Sequence, residues 1–165
     1  MVIRFAKENE LIRVNELRKQ VNDLHVEGKS EIFKAGFNKE LQDHVYTIWK
    51  DLEQKIIVAE SEGMICGFAV LHHIHKPETP FMQERDFMDI DEFCVDKKYR
   101  RQGIASALTS KLAIEILERG KVPFYCCAWS NIKSARNAIK SGFRPAWAQM
   151  TVKPLEMINE MNGIK

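Results

Sequence analysis

Apolar residues follow two periods along this chain, and the switching between them lays out its elements. Val2 to Ala6 is a short β-type run, and Leu11, Val14, Leu17, Val21 and Leu24 then recur at steps of three and four. That spacing predicts a helix with one buried face. From His25 to Asn38 the period is lost. Gly28 and Gly36 are the only turn signals there, Phe33 and Phe37 sit in a mostly polar setting, and an irregular, mobile segment is expected. Helical spacing returns over Lys39 to Gln54 through Leu41, Val45, Ile48 and Leu52, with Tyr46 and Trp49 nearby.

β-branched and apolar residues then run from Ile56 to Glu60 and from Met64 to His75, broken by Ser61-Glu62-Gly63, which reads as a hairpin. Lys76 to Arg85, with Pro77 and Pro80, is the next connection. A strand over 90–95 and a helix over 103–119 follow, the helix marked by Ile104, Leu108, Leu112 and Ile116. A strand over Phe124 to Trp129, a helix over 132–141 and a last strand around Ala146 to Lys153 complete the order. Strands alternating with helices and a hairpin predict an α/β fold, one mixed sheet with helices on both faces. No repeat, linker or low-complexity stretch divides residues 1–165, so a single domain is expected.

Charge changes the picture locally. The formal net charge is +2, so no global field directs the chain to nucleic acid or an anionic membrane. Within one stretch, however, Glu84, Asp86, Asp89, Asp91 and Glu92 precede Lys97, Lys98, Arg100 and Arg101. An acidic end thus lies beside a basic one, an arrangement that suits joining a polyanion to a cation. The basic end leads through Gln102 and Gly103 into the helix. A helix N-terminus offers unpaired N–H groups and the positive end of the dipole, so a phosphate against Gln102 to Ala105 would be held by main chain. Gly103 lets a ligand approach without a Cβ in the way. The strings of a nucleotide P-loop or a dinucleotide fold do not occur.

Arg100, Gly103 and Ala105 in the pattern Arg-x-x-Gly-x-Ala, led in by Val95 and Tyr99, resemble the pyrophosphate-binding signature of the GNAT superfamily of acyl-CoA-dependent N-acetyltransferases. A second block, Trp129 to Ser134 through Gly142-Phe143, is similar to the superfamily's segment in which an Asn begins a helix closing on Gly-Phe. The resemblance implies a mostly antiparallel central sheet that splays beside Val95, leaving a cleft for pantetheine. It implies acetyl-CoA as cosubstrate, held by Phe93, Cys94, Val95, Arg100, Arg101, Gln102, Gly103, Ile104, Ala105 and Ser106, with Asn131 and Ser134 contributing. Asn and Ser there are equally suited to plain helix capping.

Acetyl transfer to an amine needs a base, because an alkylamine with a pKa of about 10 is mostly protonated at neutral pH. Glu92, three residues before Val95, is the candidate, with Asp91 as the substitute. Many relatives place a Tyr seven residues after the Asn to protonate the thiolate; here that position is Ala138, so Tyr125, Tyr99, Ser134 or water is left for the role, and Tyr125 is carried forward as the catalytic candidate. Cys94 beside the site makes an acyl-enzyme conceivable, although direct attack needs none. His73 and His75 share a strand face, but no further ligand completes a metal set, so no metal is expected.

The reading is N-acetylation of a primary amine, favouring a small cationic molecule because of the acidic stretch. A protein or peptide N-terminus and a non-catalytic acyl-CoA sensor are the alternatives, and a homodimer stays open. Cys66, Cys94, Cys126 and Cys127 lie in apolar strand-like runs without a Cys-x-x-Cys pair, as buried thiols in a reducing compartment would. With no signal-like or membrane-spanning apolar run, a cytoplasmic protein is expected.

Overall fold

The computed structural model describes residues 1–30, 32–128 and 131–146. Its centre is a five-stranded sheet of β1 (Val2–Phe5), β2 (Gln54–Ser61), β3 (Met64–Lys76), β4 (Arg85–Val95) and β5 (Val122–Tyr125), in chain order across the sheet. The first three pairings are antiparallel and β4–β5 is parallel. The hairpin turn forms where expected, with φ of 52° at Glu62 and 75° at Gly63. Positive φ at both central residues matches the right-handed twist of the strands it joins.

Helices α1 (Leu11–Gly28) and α2 (Lys39–Lys50) cover one face. Leu11, Val14, Leu17, Val45 and Ile48 meet Ile56, Val58, Phe68, Val70 and Cys94 in a buried cluster, with Trp49 packed against it. On the other face α3 (Ile104–Glu118) lays Ile104, Leu108, Leu112 and Ile116 onto Ile57, Ala59, Ala69, Ile90 and Val95. The stripe at every fourth position is therefore the core stripe. Helix α4 (Ile132–Lys140) lies against α3, tied to it by side-chain hydrogen bonds.

Several boundaries differ from expectation, each because tertiary pairing overrides local pattern. α1 runs four residues past Leu24, to Gly28. The helix expected through Gln54 stops at Lys50, since Gln54 is drawn into register with His72 of β3. β4 begins at Arg85, not 90, because its polar first half pairs with His72 to Lys76. The strand expected over Phe124 to Trp129 is β5, shifted to Val122–Tyr125. The last strand, around Ala146 to Lys153, falls outside the described residues apart from Ala146, and Trp129 and Trp147 lie outside them.

One irregularity shapes the site. Ala69 of β3 pairs with Phe93 of β4, and Leu71 pairs with Ile90. Val70 therefore spans both Asp91 and Glu92, which is a β-bulge that puts one extra residue into β4. Strand β5 accompanies β4 only from Phe87–Val122 to Ile90–Tyr125. Among the described residues, the stretch Asp91 to Val95 has no strand partner on that side.

Candidate active site

The end of β4 is fastened before the chain turns into α3. Asp96, 4% exposed, accepts the Lys98 N–H at 3.0 Å and forms an ion pair with Arg13 of α1. Burial would raise its carboxyl, but the Lys98 N–H and the Arg13 guanidinium outweigh it and hold the group below the ordinary Asp range. Arg13 also donates twice to the Ile65 carbonyl, at 3.2 and 3.1 Å. Arg100 turns back and donates from Nε to the Val95 carbonyl at 2.9 Å. The expected cofactor residue is thus part of the strand end's own support.

Arg101 has φ of 66° and Gly103 φ of 78°, so the chain enters α3 through two left-handed positions. Gly103 is the N-cap and no side chain caps the helix. A Cβ built on Gly103 meets nothing within 4 Å. The N-terminal N–H groups of α3 and the positive dipole end are thus accessible to an anion. Arg101, Gln102 and Gly103 are exposed, while the Ile104 side chain is 5% exposed in the core, leaving only its backbone to meet a ligand. These features fit a pyrophosphate-bearing thioester along Asp91 to Val95 with its phosphates at the turn.

Tyr125 stands where β4 and β5 part. Its hydroxyl is 2.9 Å from Ser134 Oγ, and its ring lies 6.2 Å from Phe93 and 5.7 Å from Phe143, centroid to centroid. Asn131 accepts the Ser134 N–H at 3.1 Å, so its side chain caps α4. Ala138 is 8% exposed, and the Phe143 N–H returns to its carbonyl at 3.1 Å. The position where relatives often carry Tyr is packed here. Ser106 Oγ–H donates to Asn137 Oδ1 at 3.0 Å, and Asn137 Nδ2–H donates to Thr109 Oγ1 at 2.8 Å, locking α4 to α3. Asn137 was not a sequence candidate; its signal was a poor helix former among strong ones.

The carboxylates of β4 sit in unequal settings. Met88, Ile90, Phe93 and Val95 pack toward α3, so Asp89 and Glu92, like Cys94, belong to the α1–α2 side. Glu92 is gripped by Arg18 of α1, with Nε–Oε2 at 2.7 Å and Nη2–Oε1 at 3.0 Å. Its neighbour is therefore a cation rather than the acidic cluster. Arg18 is 6% exposed and also donates to the Leu41 carbonyl of α2 at 2.8 Å. Its sequence signal was a charge on the apolar stripe of α1. Asp91 is exposed. Asp89 Oδ1 is enclosed with no hydrogen-bond partner, and burial, then the neighbouring Asp91, push its carboxyl above the ordinary range.

Burial pushes the Cys94 thiol up to about 11 against the pull of Arg100, which makes a thiolate nucleophile there unfavourable. Cys66 is also buried, but Cys126 and Cys127 are exposed because β5 ends at Tyr125; four buried thiols were expected. His73 bridges Glu53 and Asp86, and Lys121 reaches Asp86 at 2.7 Å. This cluster lies at the opposite end of β4 from the turn. Among the described residues no His, Cys, Asp and Glu group is arranged for a metal, and no helix is long and apolar enough to cross a membrane.

Residues 18–143 match the family model described as Acetyltransferase (GNAT) family. The fold is similar to that of the BH1408 protein from Bacillus halodurans, at TM-score 0.86 and 22% identity over 93% of this chain and 100% of that one. An acetyltransferase from Vibrio fischeri aligns at TM-score 0.60 and 28% identity, over 76% of this chain and 94% of that one. The aminoglycoside 6'-N-acetyltransferase of Acinetobacter haemolyticus shares the fold at TM-score 0.67 and 15% identity, over 93% and 98% of the two chains. No curated protein matches the sequence.

Proposed function

From its membership of the GNAT acetyltransferase family, acyl-CoA-dependent acyltransferases, we propose that this chain moves an acetyl group from acetyl-CoA to a primary amine of a small cationic molecule. One observation carries the reading: the edge of β4 from Asp91 to Val95, without a strand partner on that side among the described residues, leads into an uncapped, glycine-led helix N-terminus, with carboxylates at its start. The turn from Arg100 to Ser106 holds the pyrophosphate by main chain, with Arg100 keeping the strand end in place. A bound acetyl-CoA supplies the activated acetyl group. A backbone N–H of β4 near Cys94 or Val95 stabilises charge on the carbonyl oxygen under attack. A carboxylate of β4 receives the amine's proton. Asn131, the N-cap of α4, and Ser134, whose N–H it accepts, sit by the cleft, and Tyr125 with Ser134 or water protonates the departing thiolate.

The aminoglycoside acetyltransferase likeness supports a small amine over a peptide N-terminus, as does the run of acidic residues along β4. The sensor alternative draws mainly on Ala138. A thiol of pKa about 8.5 leaves as an anion without a dedicated acid when nearby dipoles stabilise it, so the missing Tyr does not demand an inactive protein.

Calorimetric titration with acetyl-CoA and CoA, followed by thiol release with neamine, spermidine, glucosamine and a peptide carrying a free N-terminus, tests this reading. We expect binding of both cofactor forms and turnover on at least one small amine. Binding without turnover would favour the sensor, and turnover on the peptide alone would move the acceptor to protein N-termini.

A further inference from the structure

Two carboxylates stand on one face of β4, Asp89 just before the bulge and Glu92 within it, in opposite surroundings. Glu92 has both oxygens engaged by Arg18, and Arg18 carries the link on to the Leu41 carbonyl. A bidentate guanidinium pair of this kind is strong and directional, and it leaves neither Glu92 oxygen free of Arg18. Asp89 has the reverse situation. It occupies the second-last rung of the β4–β5 pairing, opposite Phe124, next to the point where the two strands part. Its Oδ1 is enclosed and unpartnered. An unmet buried acceptor costs about 1–3 kcal/mol, and such a group in a native fold calls for a donor. The titratable groups facing it are His72 across on β3, Asp91 on its own strand and Cys126 just past β5.

Resting on the proposed acetyl transfer, we infer that the two carboxylates divide the work: Asp89 takes the proton of the acceptor amine, while Glu92, clamped by Arg18, is a positioning residue that holds the bulge to α1 and α2. The protonated amine first gives a proton to the Asp89 carboxylate. The freed nitrogen lone pair forms the bond to the thioester carbonyl carbon, and the carbon–sulfur bond breaks with its electron pair leaving on sulfur. The second nitrogen proton is lost to the thiolate or water, giving amide and CoA, and Asp89 returns its proton to solvent. Burial beside Asp91 strengthens Asp89 as a base. Environments that set two neighbouring carboxylates apart are the usual way one site assigns two roles.

The test compares wild type, Asp89→Asn, Asp89→Glu and Glu92→Gln. Each is measured for acetyl-CoA affinity by calorimetry and for thiol release with neamine, spermidine and glucosamine from acid to alkaline pH. We expect Asp89→Asn to keep its acetyl-CoA affinity and lose roughly 10²-fold or more in kcat, the loss shrinking as rising pH deprotonates the amine unaided. Asp89→Glu, which keeps a carboxylate, should retain the acid limb of the profile. Glu92→Gln should raise KM for the amine and keep the wild-type pH profile. An Asp89→Asn enzyme with wild-type turnover and profile would overturn the inference, as would loss of the acid limb in Glu92→Gln instead. Wild type that binds acetyl-CoA yet acetylates no amine would sink the proposed function itself, a result read before any variant is compared.

Discussion

At the scale of single residues, Asp89 is held at a cost to the fold, which separates its stability role from its chemistry. Its folded-state pKa lies above the unfolded value, so the native state binds the proton more tightly than the unfolded chain does. That contribution is fully present below the ordinary Asp value and is lost as pH rises through the folded pKa. Asp89→Asn should therefore raise the melting temperature at neutral pH and leave it nearly unchanged in acid, a difference that paired thermal melts would check. Cys94 makes the opposite case: with its thiol buried and held near 11, it has no thiolate to offer. Cys94→Ala should leave turnover within about threefold and lose only about 1–2 kcal/mol of stability from the small cavity, measured by denaturant titration. Both roles were hidden in the sequence, where Asp89 was one acid among five and Cys94 a neighbour of the site. Burial and pairing, which distinguish them, are long-range quantities.

At the scale of elements, the turn into α3 was the most legible part of the chain, because its geometry is main-chain and local. Gly103 sits at φ 78°, a conformation that costs a side-chain-bearing residue about 1–2 kcal/mol. Gly103→Val should weaken acetyl-CoA binding by about tenfold or more while the protein stays folded, and unchanged affinity in calorimetry would remove the turn from the cofactor site. What the local string did not reveal is the support behind the turn. Gly67 of β3 is an example: a Cβ there would lie 2.9 Å from the Cys94 carbonyl oxygen. Gly67→Ala should push β4 outward at the strand end and lower both melting temperature and cofactor affinity. Tyr125→Phe removes the 2.9 Å contact to Ser134 and the phenol proton, and should retain activity within about tenfold because water can protonate the thiolate instead.

At the scale of the whole molecule, α1 and the turn that leads into α3 are joined to the strand end through Asp96. Arg13 on α1 and the backbone of Lys98 both converge on its carboxylate. The folded pKa of Asp96 is lowered, so its stabilisation is present above the unfolded value and is lost as pH falls through the folded one. Acid unfolding should begin with this joint, and Asp96→Asn should flatten the acid limb of the stability curve. It should also destabilise the protein by about 2 kcal/mol at neutral pH, since Arg13 keeps some access to water and is not stranded as a fully buried charge would be.

The linear sequence determined the number, type and order of the described elements, because 3.6- and 2-residue periods are imposed by burying one face of a helix or strand and need no knowledge of the partner. It also marked the basic, glycine-led entry to α3, whose residues are contiguous. The tertiary structure alone decided where the strands end, since Gln54 and Arg85 join the sheet through pairing with residues far along the chain. It alone set the bulge at Asp91–Glu92, which arises from the register between β3 and β4. The same register gives Glu92 to Arg18 and leaves Asp89 Oδ1 enclosed without a partner. A carboxylate's chemistry depends on desolvation and on its nearest charge, and neither exists until the sheet and helices have closed around it.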